Sequence, residues 1–154
     1  MRNLYILIRK TKTLMGLKRE YKMLLLEAFF LSGIVRVAIL VVPFKKLKNF
    51  MGVYNCESRF EIEDEQNMVV SKVGWAMKKV VKYTPWQSKC LVKALVVQQM
   101  LKRRKIYSTI YLGAGNDEKN NTIAHAWLRC GRRIVTGGEV IKKFKQVAKF
   151  CNEK

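Results

Sequence analysis

The chain has 154 residues, with 31 lysines and arginines against 11 acidic residues, a net charge of +20, one histidine and four cysteines. A chain of this length predicts one domain, with at most a small appendage. A 49% hydrophobic composition with only two prolines excludes disorder despite the charge. One histidine excludes a multi-histidine metal site, so no metal or cofactor is expected, and any imidazole chemistry falls to His125.

The charge is uneven. Residues 1–77 hold 13 basic and 7 acidic groups, net +6, whereas residues 78–154 hold 18 and 4, net +14. Such an excess favours polyanions, whether nucleic acid, an anionic membrane surface or an acidic protein, and does not choose among them. A solvated lysine-rich surface fits it equally. Arg9, Lys10, Lys12, Lys18 and Arg19 interrupt any apolar core of a signal peptide. Cys56, Cys90, Cys130 and Cys151 form no CxxC pair, and without a secretory signal they predict free thiols in a cytoplasmic protein.

In chain order, Met23 to Phe44 is the most apolar stretch, but Glu27 and Arg36 lie inside it, which speaks against a membrane span. It reads as one or two buried helices ending near Pro43. Transient contact with a membrane surface remains open, helped by the flanking Lys22, Lys45, Lys46 and Lys48. Residues 52–65, with the acidic cluster of Glu57, Glu61, Glu63, Asp64 and Glu65, read as an exposed connection. A soft boundary near residue 60 therefore separates a helical region, 1–60, from a core, 61–154. Val69, Val73, Ala76, Met77 and Val80 predict a helix over 65–83. Ser88 is placed to cap a second helix over 89–104, apolar over most of its circumference and therefore central. Strands are predicted over 106–113, 122–130 and 133–136, and a last strand or helix over 140–150.

Cys90 falls in the first turn of the central helix. There the unpaired N–H groups and the positive end of the helix dipole favour a thiolate, with Lys89 beside it. Alternation along Thr122–Cys130 puts Ile123, His125, Trp127 and Arg129 on one face and Ala124, Ala126, Leu128 and Cys130 on the other. An imidazole on a strand facing a helix that starts with cysteine is the arrangement of a thiol protease or acyltransferase. The plain alternative is a hydrogen-bonded structural histidine and a buried filler cysteine.

Pro85-Trp86-Gln87-Ser88-Lys89-Cys90-Leu91, Tyr111-Leu112-Gly113, Ala124-His125-Ala126-Trp127-Leu128-Arg129-Cys130-Gly131 and Val135-Thr136-Gly137-Gly138 resemble, in order and spacing, the leader peptidases of lasso-peptide biosynthesis. Those proteins are similar to the transglutaminase-like cysteine protease superfamily. The resemblance covers about residues 65–150, and the apolar segment ending at Pro43-Phe44 looks like the helical N-terminal part of the stand-alone form. It implies an α+β fold with a Cys-bearing central helix packed on an antiparallel sheet. It further implies a hydrolase that cuts the leader from a ribosomally made precursor, delivered by a small leader-recognition protein, with a lasso cyclase acting next.

Carried onto this chain, the resemblance makes Cys90 the nucleophile and His125 the general base. The third member expected after the histidine strand is Glu139, with Asp117 as runner-up. A backbone carbonyl or Thr136 would serve as well, because the orienting group only sets the tautomer. The Cys90 N–H with Gln87 or Trp86 is the expected oxyanion hole, and Trp127 is expected to wall the site. Two other readings stand: an acyltransferase on the same fold, or a non-enzymatic basic module for nucleic acid. The latter lacks interleaved aromatics and a recognition-helix motif.

Overall fold

The computed structural model describes residues 16–153, so Arg9, Lys10 and Lys12 lie outside the described residues. The apolar stretch forms one helix, α1 (Arg19–Val41). Pro43 has no N–H to continue it and pushes Val42 into extended backbone, after which α2 (Phe44–Met51) begins. The expectation of a buried segment is corrected: only Leu24, Ala28, Leu31 and Ser32 of α1 are buried, and the opposite side is exposed.

The region expected as a plain connection contains a short strand, β1 (Val53–Tyr54). Helix α3 (Asp64–Val80) starts with a reciprocal capping box between Glu63 and Gln66, carries Asp64 and Glu65 in its first turn, and has Lys78 and Lys79 in its last. Both charge placements suit the helix dipole. Helix α4 (Cys90–Lys102) buries most of its circumference, as its composition predicts. Gln98, fully buried on it, donates from Nε2 to the Met51 carbonyl at 2.9 Å and ties α2 to the central helix. Lys105 takes a left-handed conformation and Ile106 N–H bonds back to the Leu101 carbonyl, so the next strand starts three residues later than predicted.

That strand, β2 (Thr109–Asn116), is followed by β3 (Thr122–Cys130), β4 (Arg133–Thr136), a 3-10 turn over Gly138–Lys143, and β5 (Lys145–Cys151). The antiparallel sheet has the order β1-β5-β2-β3-β4. Its helix side presents Ile110, Ala126, Leu128, Cys130 and Phe150, which share one hydrophobic core with α4, α3 and the buried side of α1.

The other side of the sheet is covered by the 57–60 segment, tied down by a buried arginine. Arg129 donates from Nε to the Tyr111 hydroxyl (2.9 Å), from Nη1 to the Gly131 carbonyl (2.5 Å) and from Nη2 to the Ser58 carbonyl (2.8 Å). Its guanidinium also lies 3.9 Å from the Phe60 ring centre. The Tyr111 hydroxyl in turn donates to Glu57 Oε1 at 2.6 Å.

Cys56 and Cys151 are bonded to each other, which overturns the reading of these two as free thiols. The pairing of Val53 with Cys151 in the β1–β5 ladder brings the two sulfurs together, a proximity that 95 residues of separation hide in the sequence. Closing so long a loop restricts the unfolded chain. Reduction, or the pair Cys56→Ser with Cys151→Ser, is expected to lower stability by about 2–5 kcal/mol, read as a denaturant midpoint shift.

Candidate active site

The first residue of α4 is Cys90, a half-buried free thiol. Ser88 does not cap this helix: its hydroxyl pairs with Thr84 Oγ1 at 3.2 Å, and Lys89 occupies the cap position without a side-chain bond. The first-turn N–H groups thus have no side-chain acceptor, which suits them to an anion forming at the Cys90 sulfur or on a carbonyl bonded to it.

The approach to Cys90 is rooted on α1. Trp86 Nε1 donates to Ser32 Oγ at 3.2 Å, and its ring packs on Phe29 with centres 5.2 Å apart. Gly33 makes the room, since a methyl there would stand 3.2 Å from the indole. The indole N–H is therefore engaged in anchoring, which corrects its expected role as an oxyanion donor. Gln87, one residue on, is exposed and keeps its amide available.

His125 is half-buried on β3, opposite Gly113 of β2. Its Nε2 donates to the Gly137 carbonyl at 2.8 Å, which leaves Nδ1 as the basic nitrogen. The ring stacks on Phe144 at 4.8 Å and on Trp127 at 6.1 Å, and Trp127 stacks on Tyr111 at 5.6 Å. Trp127 is buried and supports the imidazole from below. Gly137, left-handed at φ 75°, turns the chain so that its carbonyl meets the ring.

The orienting group is thus this backbone carbonyl. Glu139 is exposed in the 3-10 turn, and Asp117 is absorbed by its own hairpin, accepting from the backbone N–H groups of Lys119 (2.9 Å) and Asn121 (2.8 Å). Those bonds hold the Asp117 carboxyl below its usual range, with the Asn121 side chain contributing most. The hydroxyl of Thr136 is buried without a partner.

Thr109, just after α4, pairs with Arg129 near the end of β3, so the C-terminal ends of α4 and β3 lie together. His125, four residues back along β3, is about 13 Å nearer the other end, and Cys90 starts a helix about 20 Å long. These lengths set Cys90 and His125 both away from that shared end. They do not share a face. The core with α4 is formed by Ala126, Leu128 and Cys130, whereas His125 alternates to the side of Trp127 and Arg129. The expectation of an imidazole facing the helix is corrected: the His125 ring lies on the other side of β3 from α4, and among the described residues no hydrogen bond joins Cys90 to His125.

Residues 38–149 match the family described as the transglutaminase-like superfamily. The chain belongs to this superfamily. No curated protein and no solved structure matches it. The superfamily includes cysteine peptidases and acyltransferases. The α+β transglutaminase-like domain found here, with its N-terminal helices, agrees with the fold expected from sequence.

Of the two free thiols in this transglutaminase-like domain, only Cys90 is placed to react. Burial pushes the Cys130 thiol up to about 11, and its Sγ donates to the Tyr107 carbonyl at 3.2 Å. Iodoacetamide at neutral pH is expected to add one label, on Cys90, in peptide-mapping mass spectrometry of the unreduced protein.

Sequence reasoning reaches Gly113 only as part of a motif and the orienting carbonyl only as an unlocated alternative, and it misses Phe144. A methyl on Gly113 would stand 2.7 Å from the Trp127 ring and 3.0 Å from Phe144 Cβ. Gly113→Ala is expected to displace the ring stack under His125, costing about 1–3 kcal/mol in stability and about 100-fold in turnover through misplacement of the imidazole.

Proposed function

We propose that this transglutaminase-like protein is a cysteine peptidase that removes the leader from a ribosomally made lasso-peptide precursor. The observation that supports it best is a thiol on the uncapped first turn of the central helix of a transglutaminase-like domain whose one histidine has Nδ1 left basic. In the reaction, Nδ1 of His125 takes the Cys90 proton, and the sulfur attacks the scissile carbonyl. The Cys90 N–H and the Gln87 amide receive the oxyanion. Collapse breaks the C–N bond and the imidazolium returns its proton to the departing amine, the new N-terminus of the core peptide. Water, deprotonated by the same nitrogen, then releases the leader as a carboxylate and regenerates the thiol. His125 lies across β3 from α4 in this structure, so the step requires the imidazole to come round to the Cys90 side when substrate binds.

A small leader-recognition protein delivers the precursor in this reading, and a cyclase takes up the product. The test mixes the protein with precursor and recognition partner in water labelled with heavy oxygen. One labelled oxygen in the released leader's carboxylate is the expected result, and no leader release would overturn the peptidase. Superfamily membership equally supports an acyltransferase, in which an amine replaces water at the acyl-enzyme. Transfer of the acyl group to an added amine, without label in the leader, would establish that second reading. The nucleic-acid module is tested by gel shift: binding that disappears near physiological salt is nonspecific attraction to the +20 chain.

A further inference from the structure

Helix α1 is the one described helix long and apolar enough to cross a membrane, yet only its Leu24, Ala28, Leu31 and Ser32 side is buried. Met23, Phe30, Ile34, Val37 and Val41 recur at helical spacing along the opposite side, with Phe30 63% and Ile34 64% exposed. This apolar stripe runs the length of the helix. Glu20 and Glu27 stand on its Ile34 edge at seven-residue steps, and both are paired, Glu20 with Lys72 at 2.7 Å and Glu27 with Arg103 and Arg104 at 3.2 and 2.7 Å.

The charges beyond the stripe are all basic. Lys18 and Arg19 stand exposed at its start, and Lys45, Lys46 and Lys48 stand exposed just past its end, among the exposed Phe44 and Phe50 of α2. Apolar residues between cationic ends complement a lipid surface, where acyl chains take the stripe and anionic headgroups take the lysines. Spanning the bilayer would instead pull α1 from α3 and α4, break the Trp86–Ser32 bond and strand Glu27 in hydrocarbon.

We infer that α1 is an interfacial helix that holds this protein on an anionic lipid bilayer, lying in the membrane plane with Phe30, Ile34 and Val37 inserted. The Trp86 anchor of the loop before Cys90 packs on Phe29, Ser32 and Gly33 of the same helix, beside the inserted residues. This assignment is independent of the reaction proposed above.

The full-length protein is sedimented with vesicles of phosphatidylcholine alone and of phosphatidylcholine with about one third phosphatidylglycerol. Binding to the anionic vesicles alone is expected. Ile34→Glu should weaken it by about tenfold or more while changing the net charge of +20 by a single unit, so the loss measures insertion and not bulk attraction. Phe30→Trp should give an emission shift to the blue on the same vesicles. No vesicle binding, or equal binding by wild type and Ile34→Glu, would overturn the inference. So would a fall in melting temperature of several degrees for Ile34→Glu without lipid, which would show the stripe already covered by residues 1–15 or a second copy. So, finally, would a protein-bound stripe, seen as a concentration-dependent dimer or recognition-protein complex that Ile34→Glu dissolves and vesicles do not displace.

Discussion

Cys90→Ala is expected to abolish leader release, lowering turnover by at least about 10⁴-fold, with binding of the precursor and its recognition partner unchanged. In the proposed mechanism the thiol at the α4 N-terminus forms the acyl-enzyme, and Cys130 cannot substitute because it is buried with its ionisation pushed up to about 11. His125→Ala should cost a similar factor, and the double variant should be no worse than either alone, because the two act as one unit. Glu139→Gln separates the orienting groups. The Gly137 carbonyl holds Nε2 at 2.8 Å, so this variant should keep turnover within about threefold. Single-turnover release followed by mass, alongside partner binding, checks all four. Cleavage at the wild-type rate by Cys90→Ala would remove the nucleophile from the mechanism.

Arg129→Met should be the most damaging substitution for stability, by about 3–5 kcal/mol, or roughly 10 °C in melting temperature. Methionine fills much of the space but returns no donors. The Ser58 and Gly131 carbonyls would be left in a dry site, each costing about 1–3 kcal/mol. The 57–60 segment would lose its attachment to the sheet, and Tyr111 its lock beneath Trp127 and His125. Arg129→Lys keeps the charge but not the planar fork, and should fall between the two. Thermal melts of the three proteins decide this; equal midpoints would show the arginine to be dispensable.

The same network predicts an acid dependence. The Tyr111 hydroxyl, with Lys149 and Arg129 nearby, holds the Glu57 carboxyl below its usual value. A depressed carboxylate adds stability above its unfolded-state value near 4.5, and that stability is lost as pH falls through the lower, folded value. Glu57→Gln should remove this acid arm of the stability profile.

Local patterns made the scaffold readable. Strands β3 and β4 fall on the predicted residues, because β-branched and apolar alternation between turn residues is a short-range signal. The burial of α4 follows from its apolar circumference, and the break after α1 follows from Pro43. Cys90 and His125 stand out in the sequence as candidates because one is the first residue of a helix and the other the sole imidazole. Arg129 carried no such signal: an arginine on an alternating strand reads as solvated, and only the 57–60 segment folding over it makes it a buried clamp.

Sequence alone therefore determined the order of the elements from α3 to β4, the nucleophile candidate and the single available base, since each depends on residue type and nearest neighbours. The tertiary fold decided the rest. It joined Cys56 to Cys151 across the β1–β5 ladder and gave the imidazole a carbonyl in place of a carboxylate. It also spent Trp86 on α1 and left one side of α1 uncovered among the described residues. These are contacts between residues far apart in the chain, and they depend on strand register and helix rotation, which periodicity does not encode.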